Sequence, residues 1–103
     1  MDLLDSGASN HYFTAETKVS KARNISPGIL HTASTPLKYD KIGDIAEKNL
    51  TGVKLVQRLT NNLVSMSKLA DDRNTAYVTT KVGIWELPAA DAEQILKKTV
   101  YRE

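Results

Sequence analysis

Apolar residues in this chain fall in short groups separated by Gly, Pro, Asn and Asp, a spacing that predicts a compact, mostly-β domain. Leu3 and Leu4 precede the small polar run Asp5, Ser6, Gly7, Ala8, Ser9, which reads as a strand entering a tight turn. Residues 10–26 show no period and are expected to be irregular. Pro27 and Gly28 then introduce apolar segments at 29–32, 37–39 and 42–45, predicting a hairpin that turns at Ala33, Ser34, Thr35 and Pro36. Over 50–59 the residues Leu50, Val53, Leu55, Val56 and Leu59 fit a strand imperfectly, with Val53 and Leu55 on one face. Asn61 and Asn62 break that run. Leu63 and Val64 lead into Ser65, which is placed to cap a short helix over 65–71. Tyr77, Val78 and residues 82–87 have the content of two strands joined near Lys81, with Trp85 in the core or at an interface. After Pro88, Asp91 and Gln94 have capping-box spacing, and Ile95, Leu96, Thr99 and Val100 recur at helical spacing. Together they predict a C-terminal helix packed on the sheet.

A chain of 103 residues with 41% apolar content supports one modest domain spanning 1–103, its last part (87–103) a helical extension. A catalytic cleft in so short a chain has to be small or shared between copies. The net charge of +2 arises from 14 basic and 12 acidic residues that are interspersed, so no basic tract marks a nucleic-acid footprint. There is no cysteine, which excludes disulfides, thiolate metal sites and a cysteine nucleophile, and a reducing cytoplasmic setting is the expectation. No apolar run approaches the roughly 20 residues a membrane span needs, so no membrane partner is expected.

The chemistry-bearing segment is Leu3 to Ser9. It sets an ionisable side chain at the end of a strand and follows it with residues small enough for another backbone to approach. Such geometry suits paired carboxylates: two held about 3 Å apart cannot both ionise readily, so they share one proton and serve as general base and general acid. One such Asp is available per chain, so the pair requires a homodimer about a two-fold axis. The same five residues also make a good Asx-type turn with the Asp bonded to local backbone, which is the plainer structural reading.

Asp5-Ser6-Gly7-Ala8-Ser9-Asn10-His11 resembles the active-site signature of retropepsins, the dimeric aspartic proteases of retroviruses and LTR retrotransposons, and in particular the copia-type branch. Residues 52–69, an apolar strand leading to Asn62-Leu63-Val64-Ser65-Met66-Ser67-Lys68-Leu69, resemble that branch's second hallmark, and the likeness extends over 3–87. The resemblance implies a small closed β-barrel, a homodimer, no cofactor and no metal, and cleavage of the element's own polyprotein, in the cytoplasm or within virus-like particles. It implies Asp5 as the catalytic residue and Ser6 bonding across the dimer axis. Gly7 would accept close approach of substrate, and Ala8 and Ser9 would line the cleft. A flap would fold over bound peptide from 29–45, with its tip at Ala33, Ser34, Thr35 and Pro36. Leu63, Val64 and Ser65 would pack beside the catalytic loop.

The chain departs from the family in four places: four residues precede the motif where relatives carry an N-terminal strand, Lys54 replaces an apolar residue, Gln57 replaces a Pro, and the flap tip carries Pro36 with no glycine from Ala33 to Pro36. The short leader motivates a competing expectation, a truncated or domesticated module that dimerises and binds peptide without cleaving it. Other candidates are weaker. His11 and His31 lack a surrounding cluster of ligands for zinc, no Gly-x-Ser-x-Gly elbow is present, Asp71 and Asp72 read as surface residues, and Lys97, Lys98 and Arg102 as a solvated helix face.

Overall fold

A computed structural model of the chain describes residues 2–32 and 34–98. Six strands form one sheet: β1 (Asp2–Asp5), β2 (Tyr12–Thr14), β3 (Ser20–Leu30), β4 (Leu37–Ile45), β5 (Leu50–Val56) and β6 (Asn62–Ser65). Helix α1 (Met66–Arg73) follows, then a separate hairpin of β7 (Thr75–Thr80) and β8 (Gly83–Pro88), and helix α2 (Ala89–Leu96). The chain is thus mostly β with two helices.

Within the six-stranded sheet the order is β1-β6-β2-β5-β4-β3. Strand β1 runs parallel to β6, Asp5 opposite Ser65, whereas β2 runs antiparallel to the other side of β6, Tyr12 opposite Leu63. The segment joining β1 to β2 therefore passes over the end of β6, and this threading brings the Asp5 loop onto Ser65. Strands β1 and β3 are the outer strands and do not pair with each other. Among the described residues the closed barrel expected from the resemblance is therefore not found, and the six strands make an open sheet. The chain's radius of gyration, 15.6 Å, exceeds the ~13 Å typical of a compact chain of this length.

The core is a cluster of Phe13, Ile45, Leu50, Val53, Leu55 and Leu69, with Val19, Val64 and Tyr77 packed against it. The imperfect strand pattern over 50–59 has a definite cause. Between Ile45 opposite Leu50 and Gly43 opposite Val53, β5 spends three residues where β4 spends two, and Gly52 takes φ +58°. This β-bulge lets Leu50 and Val53, three apart, face the same side. Leu59 lies beyond the strand, and Asn62 begins β6 instead of breaking the run.

Residues 10–26 are not irregular, since they carry β2 and most of β3. Strand β2 is only three residues long, too short for a period to register, but its Tyr12 and Phe13 are buried at the middle of the sheet. Strand β3 is an edge strand with most side chains exposed and two register shifts against β4, so its sequence shows no alternation and tolerates Pro27.

Ser65 caps α1 as the sequence predicts, its hydroxyl accepting from the Lys68 N–H, and Asn74 closes the helix in the left-handed region at φ 51°. The β7–β8 hairpin turns at Lys81 and Val82, with Thr80 opposite Gly83. Trp85 is 58% exposed and so is not a core residue; its indole N–H donates to the Thr80 hydroxyl. The capping box does not form: α2 starts after Pro88 without a side-chain cap, and Asp91 lies inside its first turn. Helix α2 lies against β7 and β8, with Ile95 and Leu96 largely exposed. Thr99, Val100 and Arg102 lie outside the described residues, as does Ala33 of the hairpin turn.

Candidate functional site

Asp5 ends β1 at the point where the chain leaves the sheet. Its Oδ1 accepts the Gly7 N–H at 2.8 Å, the Asx-type turn that the motif predicts. The other carboxylate oxygen is left for chemistry or solvent. Gly7, Ala8 and Ser9 continue from Asp5 along the wall of a cleft of about 430 Å³, which Tyr12, Leu63, Leu30 and His31 complete. The cleft joins the motif loop to the end of β3, so the predicted hairpin does reach the Asp5 side of the sheet. Ser6 is exposed.

The part of the hairpin that faces Asp5 is not the predicted tip. Leu30 and His31 border the cleft, whereas Ser34 and Thr35 line a hollow with Arg58, Leu59 and Thr60, and Pro36 lies beside Lys38 and Gln57. The turn is held locally: the Thr32 hydroxyl accepts the Thr35 N–H at 3.0 Å. Close to the same turn, Lys54 of β5 stands over the rings of Tyr39 and Tyr12, 4.8 and 5.8 Å from their centroids, and donates to the Tyr39 hydroxyl. A cation-π contact thus ties β2, β4 and β5 together beside the hairpin turn.

Leu63, Val64 and Ser65 lie opposite Leu3, Leu4 and Asp5 in the parallel β1–β6 ladder. Ser65 is fully buried and joins four elements. Its hydroxyl donates to the Ala8 carbonyl at 2.6 Å and accepts the Lys68 N–H, while its own N–H donates to His11 Nδ1 at 3.0 Å. Because Nδ1 is the acceptor there, the ring proton sits on Nε2, which donates to Asp72 Oδ2 at 3.1 Å. Asp72 also accepts from the Thr51 N–H and hydroxyl and pairs with Lys68 at 3.5 Å. Asp72 is therefore not the surface residue expected of it: its side chain is 10% exposed and ties α1 to β5 through Thr51 and to the loop before β2 through His11.

Burial lowers the His11 pKa from the usual 6.5; the bond to Asp72 opposes this, and the charges of Lys68 and Arg73 reinforce it. Burial alone would raise Asp72, but hydrogen bonds from Thr51 and His11, with the Lys68 charge, bring it below 3.8. Asp2 is lowered by hydrogen bonds from Lys48 and Asn62. In all three cases the folded state binds protons less readily than the unfolded chain, so stability is full above the unfolded values and lost on acidification. The melting temperature is expected to fall in two stages, first as pH drops from 6.5 through the lower folded value of His11, then from 3.8 through those of Asp72 and Asp2. Scanning calorimetry across that range checks it; a melting temperature unchanged between pH 7 and 5 contradicts the His11 part.

The pairing of His11 with Asp72, 61 residues apart, was not among the sequence expectations. The histidine that closes the Asp5 to His11 signature was the available signal. Among the described residues no group of three or more His, Asp or Glu side chains is arranged to hold a metal ion, and no helix is long and apolar enough to cross a membrane. No protein-family model, curated protein or solved structure matches the chain.

Proposed function

We propose that the chain is an aspartic endopeptidase of the retropepsin type that acts as a homodimer, with Asp5 and its symmetry mate as the catalytic dyad. The observation that carries this reading is Asp5 at the end of a strand, on a cleft bounded by its own Gly7-Ala8-Ser9 loop and by Leu30 and His31 at the end of β3. The pair would hold one proton between them. The ionised member takes a proton from water as it attacks the peptide carbonyl, and the protonated member hydrogen-bonds the developing oxyanion and then supplies the leaving nitrogen. The substrate class is an extended polypeptide, the element's own polyprotein by family resemblance, bound between the loop and the hairpin ends at Leu30 and His31. No cofactor enters this chemistry.

Dimerisation is supported by what one chain leaves uncovered. Strand β1 is an outer strand whose Leu3 and Leu4 are exposed, and Trp85, Val78 and Ile84 are exposed on the second hairpin. Open strand edges and large apolar side chains of this kind favour association. On this reading the retropepsin-type fold is completed only in the dimer.

The direct test is dilution. Cleavage of a fluorogenic peptide per mole of chain should fall steeply once the concentration drops below the dimer dissociation constant found by sedimentation, because a lone chain has one carboxylate. A rate per chain independent of concentration, with the protein monomeric, removes the proposal. The alternative, a module that dimerises and binds peptide without cleaving it, draws on the Asx-type bond from Gly7 to Asp5, which gives that carboxylate a local structural role. Peptide binding and dimerisation with no cleavage at any pH would favour it.

A further inference from the structure

The buried chain Asp72, His11, Ser65, Ala8 belongs to none of the steps just described, yet it ends on the loop that carries Asp5. We propose that His11 is a positioning residue for the Asp5 loop and an acid-sensitive one. With Nδ1 unprotonated it locks Ser65 against Ala8, and protonation of that nitrogen releases the lock. The proposal rests on the reading of Asp5 as catalytic, but its structural half can be tested without catalysis.

The geometry leaves His11 one state that satisfies both neighbours. Its ring is 0% exposed, so neither nitrogen has water as a substitute partner. Nδ1 must accept, because the Ser65 N–H points at it from 3.0 Å, and Nε2 must donate, because the Asp72 carboxylate accepts at 3.1 Å. A second proton on the ring would set N–H against N–H at Ser65. In a buried site that leaves two donors without an acceptor, so the bond has to break. The charged groups acting on the ring come from α1: Asp72, which favours the imidazolium, and Lys68 and Arg73, which oppose it. From β5 the neighbouring groups are the N–H and hydroxyl of Thr51, and from β6 the backbone of Ser65.

Displacing Ser65 cannot stay local. The same residue carries the hydroxyl bonded to the Ala8 carbonyl, faces Asp5 across the β1–β6 ladder and caps α1. Misplacement of a catalytic group by about 1 Å costs on the order of 100-fold in rate. The imidazole thus holds the loop from behind, touching neither substrate nor the reacting atoms. Like-charged carboxylates that share one proton hold the first of their two titrations below the usual carboxylate range, so a dyad of that kind alone would keep its acid limit low. His11 would add a second acid-sensitive step, set by the ring and not by the dyad.

Two measurements test this on the full chain. In a pH titration followed by NMR, the backbone amides of Gly7, Ala8 and Ser65 should move with the same midpoint as the His11 ring. In His11→Asn, whose side-chain oxygen can take the Ser65 N–H but cannot acquire a proton, that common transition should vanish. Asp72 keeps Thr51 and Lys68 in this variant. In the second measurement, wild-type kcat/KM should fall about tenfold per pH unit below the ring's midpoint. His11→Asn should keep its neutral-pH activity within about threefold and shift the acid limb to lower pH, as expected of a positioning group rather than a reacting one. Asp72→Asn, which retains an acceptor for Nε2 without the charge, should shift that limb in the same direction. Loop amides that stay still while the ring titrates overturn the proposal, even in an active enzyme. So does a ring that stays neutral throughout the range in which activity is lost. Amides that co-titrate in a chain that cleaves no peptide support the coupling and count instead against the protease reading.

Discussion

Asp5→Asn should reduce peptide cleavage by at least ~10³-fold while leaving the protein folded, the effect of removing a general acid-base group that no neighbour can replace. In a symmetric dimer a single substitution removes both carboxylates, so no second copy remains to act alone. The fold should tolerate the change, because asparagine keeps the side-chain oxygen that accepts the Gly7 N–H and the position lies at the half-buried end of an outer strand. The melting temperature should therefore move little, which separates lost chemistry from lost structure. Equal rates for the wild type and the variant would remove Asp5 from the mechanism and leave its bond to Gly7 as its role. Peptide binding offers a second readout: a dyad variant should still retain peptide in the cleft, as measured by fluorescence anisotropy.

The largest stability effect is expected from Phe13→Ala. Phe13 is 2% exposed and packs in the cluster with Ile45, Leu50, Val53, Leu55 and Leu69. Truncating a buried phenylalanine typically costs ~3–5 kcal/mol, the transfer term plus the cavity left behind. Total stability in domains of this size is ~5–15 kcal/mol, and the buried core here is small, so the loss is a large share of what holds the chain together. The urea midpoint should fall by about 1 M or more. A shift of a few tenths would mean that the sheet draws its stability from another surface, such as a dimer contact. Phe13 also lies opposite Leu55 on β2, the strand that receives the Asp5 loop, so the substitution should lower activity before the domain fully unfolds.

Features set by near neighbours were legible in the sequence. Asp5 with the small residues after it gave the strand end and the Asx-type turn, Ser65 gave the cap of α1, and the turn at Lys81 gave the second hairpin. The β3–β4 hairpin was also legible, and Leu30 and His31 at the end of β3 line the cleft beside Asp5. Strands β2 and β3 were missed for opposite reasons. One is too short to display a period, and the other is exposed on most positions and so has no apolar face to alternate.

The chain by itself determined the chemistry on offer: one carboxylate in a small-residue loop, no thiol, and turn residues spaced for short strands. Tertiary structure alone decided that the loop passes over the end of β6, that His11 meets Asp72 from 61 residues away, and that the sheet stays open at β1 and β3. The physical reason is range. Caps and turns are fixed by backbone groups a few residues apart, whereas threading, burial of a histidine and closure of a sheet depend on contacts whose partners are distant along the chain and leave no periodic mark in it.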